Sequence, residues 1–147
     1  MLDKSLIGKE YPVIFFNVNI DCLKLFAKAT GQTNRLYTDI EFALKEGHPS
    51  LLAPPTFLTV VSYEQEDPYH YLKDLKIGLG EFLHANQEYN YFFPLYAGDS
   101  LQMKSEITDI FDKKEGKLNF IVFTSTYINQ NKIIVAESKT TLVVRSS

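Results

Sequence analysis

Tryptophan is absent from this 147-residue chain, cysteine occurs once and methionine twice. A single thiol, Cys22, leaves no internal disulfide and fits a reducing compartment. On a helix face beside apolar neighbours it reads as core filling rather than a nucleophile. The three histidines, His48, His70 and His84, show no metal-ligand spacing, and with one cysteine no zinc site is expected. Basic runs are lacking too. With a net charge of −3 and no lysine- or arginine-rich stripe, nothing is available to neutralise a nucleic-acid backbone. No apolar run approaches the roughly 20 residues that cross a bilayer. The opening Met1-Leu2-Asp3-Lys4-Ser5 lacks the charged-then-apolar pattern of a secretory signal. A cytoplasmic protein without membrane or nucleic-acid partners is the expectation.

What is present in excess is phenylalanine and tyrosine, 14% of the chain together. Such content suits a sheet-rich core or an apolar ligand channel. The length fits one domain spanning 1–147, since no repeat, low-complexity tract or linker divides it.

The first half reads as one strand, Tyr11 to Val18, followed by helices and loops. Asn19 caps a helix from Ile20 to about Thr30, with Ile20, Leu23, Phe26 and Ala27 on one face. Gly31 supplies its left-handed end. Thr38-Asp39-Ile40-Glu41 has capping-box spacing and starts a short helix through Lys45. Pro55 fits the first turn of an apolar helix, Thr56 to about Tyr63, and Tyr69 to Leu75 adds a further turn or two. Four strands follow as an antiparallel meander: Leu83 to Phe93, Ser100 to Phe111, Leu118 to Ile128 and Ile133 to Val144. Charged Asp112 to Lys117 and Asn129-Gln130-Asn131 are the turns. The class is α+β.

Two segments carry a resemblance. Thr30 to Asp39 resembles the hydratase motif of the MaoC-like, (R)-specific enoyl thioester hydratase family, Gly-Asp-x-Asn-Pro-x-His-x-Asp followed by Ala-x-x-x-Gly. Gly31, Asn34, Asp39, Ala43 and Gly47 match it. Pro94 to Asp99 resembles the family's Pro-x-x-x-Gly-Asp element. Leu83 to Tyr89 and Leu51 to Phe57 look like the branch that forms the N-terminal, acyl-binding half of two-part 3-hydroxyacyl dehydratases. The resemblance implies a hot-dog fold, an antiparallel sheet wrapped around a central helix at about Pro55 to Tyr63. It also implies dimerisation by edge-joined sheets and an acyl thioester held between two hot dogs. It implies no cofactor.

The departures fall on the chemistry. Gln32 stands at the motif's Asp, Arg35 at its Pro and Tyr37 at its His. Hydration needs a group that takes a proton from water and returns one to carbon near neutral pH. An amide has no such proton, and a phenol ionises only near pH 10. Pro54 and Pro55 lie where the family places a carbonyl-polarising N–H, so Thr56 is the remaining donor.

The resemblance therefore implies an acyl-coenzyme A or acyl-carrier-protein thioester as ligand, with Gln32, Asn34, Tyr37 and Thr56 as substrate-binding positions. The first reading is a subunit lacking its own Asp–His pair, dimerised with a catalytic MaoC-like chain. A second is a self-sufficient homodimeric hydratase using His84 or His48 with Tyr37 in support. An acyl thioesterase with Glu64 as its carboxylate, or an acyl-thioester binding protein without chemistry, are the others. Bland readings stand beside these. Gln32, Asn34 and Tyr37 equally suit loop stabilisation, His84 and His48 structural roles, and His70 an exposed position. Tyr89, Tyr91 and Phe93, alternating along one strand, suit an acyl channel, a core or a dimer interface. The net negative charge is a mild argument against docking an acidic carrier protein directly.

Overall fold

Alternating apolar residues at period two build three of the four long strands, whose inward faces make the core, while residues 82–91 contribute no buried side chain. The computed structural model describes residues 2–145. Strand β1 (Ile14–Asn17) is followed by helices α1 (Ile20–Ala29), α2 (Ile40–Lys45), α3 (Leu58–Tyr63) and α4 (Tyr71–Leu75). Strands β2 (Phe82–Tyr91), β3 (Ser100–Lys113), β4 (Leu118–Asn129) and β5 (Ile134–Arg145) complete the chain. All pairings are antiparallel, in the spatial order β1-β3-β4-β5-β2. Only β3, β4 and β5 form the expected meander; β2, the first long strand in sequence, pairs with β5 on the far edge instead of with β3.

The sheet wraps around α3, as the α+β expectation requires. That helix is short and contains Thr59, Val60 and Val61 in succession. Branched residues lose side-chain freedom in a helix, and six residues make a poor helix in water. Burial holds it instead. Leu58 and Val61 are buried, and with Phe57 they pack against Phe16, Leu101, Met103, Tyr127 and Val135 of the sheet. Register shifts between Ile107 and Asp109 in β3 and between His84 and Asn86 in β2 break the regular pairing. An extra residue of this kind bends its strand, which helps the sheet curl over the helix.

Several boundaries differ from expectation for local reasons. Sheet pairing of β1 begins at Ile14, since Pro12 has no N–H to give; Tyr11 still donates to the Ser105 carbonyl. The cap of α2 is Asp39, whose Oδ1 accepts from Phe42 N at 3.1 Å, not Thr38. Helix α3 begins at Leu58 because Thr56 takes a left-handed φ of +67°. Asn19 caps α1 as expected, accepting from Asp21 N at 2.8 Å.

The Pro94–Asp99 element is a clasp. Gly98, at φ +98°, donates to the Val18 carbonyl, and Val18 donates back to the Asp99 carbonyl, both at 2.8 Å. The Asp99 carboxylate accepts from Tyr96 N and from Gln130 Nε2, each at 2.8 Å. Ala53 N reaches the Leu95 carbonyl and Ala97 N the Leu51 carbonyl, so this element also fixes the segment leading into α3.

Core truncation should separate two leucines of α1. Leu23 is 0% exposed and Leu25 is 68% exposed. Leu23→Ala is expected to cost about 2–5 kcal/mol in urea unfolding, and Leu25→Ala under about 0.5 kcal/mol. Equal costs would contradict this packing.

Candidate active-site loop and cavities

The loop after α1 is held largely by its own polar side chains. Gly31 takes φ +67°, and Gln32 N donates to the Ala27 carbonyl at 2.8 Å. Gln32 Oε1 then accepts from Asn34 N at 3.1 Å, and Asn34 Oδ1 accepts from Leu36 N at 3.0 Å. Asn34 so caps a single 3-10 turn, Arg35–Tyr37. Arg35 is committed to Asp39, at 2.6 Å from Nη2 to Oδ2, and its guanidinium lies 4.3 Å from the Phe42 ring centre. The Arg35 hydrogen bond, followed by that from Phe42 N, holds the Asp39 carboxyl below its ordinary range. Of the loop's three polar candidates, Tyr37 is the one that lines a cavity.

That cavity, of about 220 Å³, is walled by Tyr37, Pro54, Pro55, Phe57, Tyr91 and Phe93, with Val135 and Ala136 among the sheet residues below. Thr56, between the wall residues Pro55 and Phe57, does not itself line the cavity and takes a conformation unusual for a branched residue. Its N–H points to the Tyr91 hydroxyl at 2.8 Å rather than to a backbone carbonyl. Burial raises the Tyr91 phenol above its ordinary pKa, partly opposed by that Thr56 N–H. Among the described residues, no aspartate, glutamate or histidine lines this cavity.

A larger cavity, about 380 Å³, lies along the inner face of β2. Tyr89 lines it, and its ring stacks on that of Tyr91, 6.0 Å away. The Tyr89 hydroxyl bonds to Thr59 Oγ1 of α3, which ties helix to strand between the two spaces. Phe57 and Leu58 face the smaller cavity, while Thr59 and Ser62 face the larger. Of the alternating residues, Tyr89 lines the larger cavity and Tyr91 and Phe93 the smaller. Phe92 lines neither and is exposed, as Tyr91 and Phe93 also are.

The histidines do not converge on Tyr37. His84 lines the larger cavity. His48 Nδ1 lies 3.1 Å from the Tyr96 hydroxyl and lines neither space. Glu64 is exposed at the end of α3 and also lines neither. His70, expected at the surface, is half-buried and lines the larger cavity. Its ring packs edge-on to Tyr11, 5.1 Å between centres. Sequence reasoning missed Tyr11, His70 and Tyr71 as cavity residues; their density of rings near Pro12 and Pro68 was the available signal. Among the described residues, no group of three metal-ligating side chains occurs, and no helix is long and apolar enough to cross a membrane.

Residues 5–138 match the family model for the FAS1-like, dehydratase domain region. A UPF0336 protein of Streptomyces coelicolor is 36% identical over 112 residues, 74% of this chain and 73% of that protein. The C-terminally truncated HadBC (3R-hydroxyacyl-ACP dehydratase) complex of Mycobacterium tuberculosis superposes with a TM-score of 0.76 at 27% identity, covering 91% of this chain and 92% of that one. A MaoC-like dehydratase superposes with a TM-score of 0.85 at 21% identity, covering 97% of this chain and 43% of that one. The fold is the hot-dog fold of these dehydratases.

The phenols make stability fall at high pH. Burial raises Tyr71, Tyr89 and Tyr127, and burial with the Asp74 charge pushes Tyr11 up to about 12. Unfolded tyrosines ionise near pH 10, so above that pH the unfolded state releases protons first. The urea midpoint should hold below about pH 10 and drop as pH rises towards about 12. Tyr11→Phe should make the drop shallower; a midpoint flat across that window would contradict the burial of these rings.

Proposed function

Because the chain belongs to the FAS1-like dehydratase domain region family, we propose that it is the acyl-thioester-binding subunit of an (R)-3-hydroxyacyl thioester dehydratase. In this reading residues 1–147 form one hot-dog domain, and the acid–base pair comes from a partner chain. The observation that carries it is the cavity beside the Thr30–Asp39 loop. Its ionisable side chains are two tyrosines, Tyr37 and Tyr91, in an otherwise apolar wall. Dehydration removes a proton from C2 and expels the C3 hydroxyl as water, so it needs a base and an acid working near neutral pH. A phenol raised by burial, as Tyr91 is, is not a base there.

Binding is better provided for than chemistry. The Thr56 N–H is held by a side-chain hydroxyl, which a thioester carbonyl could displace with one rotamer change. The apolar walls and the larger cavity behind them suit an acyl chain. Strand β2 is a sheet edge with Leu83 72% exposed, and an unpaired edge is a ready surface for another chain. The likeness to a protein described as a HadBC complex supports a second MaoC-like subunit, with the intact Asp–His motif, as that chain. The ligand is a coenzyme A or acyl-carrier-protein thioester, and the setting cytoplasmic.

The test is hydration of trans-2-enoyl coenzyme A thioesters by the purified, folded chain, alone and mixed with a candidate MaoC-like subunit bearing the motif. The chain alone should show no turnover above background, and the mixture should turn over. Robust turnover by the chain alone would sink the reading and direct attention to His84, His48 and Tyr37.

A further inference from the structure

The wall of the larger cavity is mainly apolar, as suits a fatty chain, but polar side chains cross it. At about 380 Å³ it falls within the range of small-ligand sites, roughly 300–1,000 Å³. Along its floor Ser105 and Ser125 line the cavity, and the row continues in register to Ser138, which does not line it. Ser105 of β3 faces Ser125 of β4, which faces Ser138 of β5, which faces Tyr89 of β2. Ser125 and Ser138 are buried. The residues before and after this row on the same face, Met103 and Ile107, Tyr127 and Phe123, Ala136, are large or apolar. Alanine would fill a serine position without burying a hydroxyl, and a buried hydroxyl costs free energy unless it is bonded. The row is partly satisfied internally. Ser105 and Ser125 share one hydrogen bond at 2.7 Å, and Ser138 bonds the Tyr127 hydroxyl at 3.1 Å. The Ser105–Ser125 pair has two O–H donors and one bond between them.

His70 adds an independent observation on another wall of the same cavity. Its Nδ1 lies 2.9 Å from the Asp67 carbonyl oxygen and so carries the ring proton. Its Nε2 is fully buried and has no hydrogen-bond partner among the described residues. A buried polar atom of this kind calls for a partner. Thr140, one row further along the floor, spends its hydroxyl on Gln87 Oε1 at 2.8 Å. The cavity thus offers a bonding partner on one wall and hydroxyls on its floor.

We infer that the larger cavity receives the distal end of the acyl chain and selects chains that carry a hydroxyl or other oxygen function there, over plain saturated chains. This deepens the acyl-binding function and rests on it. To reach it, a chain entering beside Tyr37 must part the Tyr89–Thr59 hydrogen bond beside the stacked Tyr91, and then lies between α3 and the serine row. A distal hydroxyl can donate to His70 Nε2 and accept from Ser125 or its neighbour. A methyl terminus leaves those groups unpaired, which penalises it.

The experiment is calorimetric binding of matched acyl-coenzyme A pairs, saturated and ω-hydroxylated, over a series of chain lengths. Beyond the length that reaches the cavity, the hydroxylated member should bind about tenfold more tightly; shorter pairs should bind equally. His70→Phe should abolish that preference while keeping the saturated chain bound, and Ser125→Ala should reduce it severalfold. Equal binding at every length, or a preference untouched in both folded variants, overturns the selectivity and leaves acyl binding standing. If no acyl-coenzyme A binds at all, acyl binding itself fails and the selectivity with it.

Discussion

Everything in this molecule depends on the enclosure of α3 by the sheet. A six-residue helix carrying three branched residues in a row has no independent stability, so its existence is a consequence of packing. Leu58 and Val61 go inward to Phe16, Leu101 and Tyr127. Of the remaining positions, Val60 packs against the core and Thr59, Ser62 and Tyr63 line the larger cavity. One helix thereby sets the core on one side and the ligand space on the other. A strand edge and a helix separated by a row of tyrosines is the geometric result.

The clasp at Gly98-Asp99 makes that enclosure specific. Asp99 ties the start of β3 to the β4–β5 turn through Gln130, and the same segment pairs with residues 51–53 just before α3. The positive φ at Gly98 and Thr56 marks the two places where the chain must bend sharply to bring strand, helix entry and loop together. Glycine adopts such a conformation freely, whereas threonine does so under strain. The strained residue is the one whose N–H faces Tyr91 instead of a backbone partner. Strain and a backbone donor bonded to a side-chain hydroxyl coincide beside the cavity that Tyr37 lines.

Much of the architecture was legible in sequence because its signals are local. Period-two alternation marked β3, β4 and β5 to within two residues, and Asn19 and Gly31 marked the ends of α1. The loop departures at Gln32 and Tyr37 were legible too, since they are single letters in a matched motif. The misses were non-local. Thr38 and Asp39 both suit a cap, and only the chain's path decides between them. His70 looked exposed because Asp67 and Pro68 read as a loop tip; its burial comes from Tyr11, which is distant in sequence. The serine row needs three strands in register before it exists, so no window of sequence contains it.

Under the proposed function, these features bear on how a chain without an acid–base pair would govern a reaction. Binding energy from parts of a substrate remote from the reacting bond can be spent on orienting that bond. Fixing a thioester carbonyl on a backbone N–H and threading its chain past Tyr91 and Tyr89 would restrict where C2 and C3 lie. A partner's base and acid then act on a positioned bond rather than a free one, which is where much of an enzyme's advantage over solution arises. The apolar walls contribute by excluding water, so that a partner's charges act in a low-dielectric space. On this argument the loss of acid–base residues from the loop removes one half of catalysis and leaves the other. The selection pressure on Tyr37, Thr56, Tyr91 and the cavity behind them becomes one of shape and hydrogen bonding. That pressure tolerates an amide where a carboxylate once suited the chemistry, and it has no need of a histidine beside it.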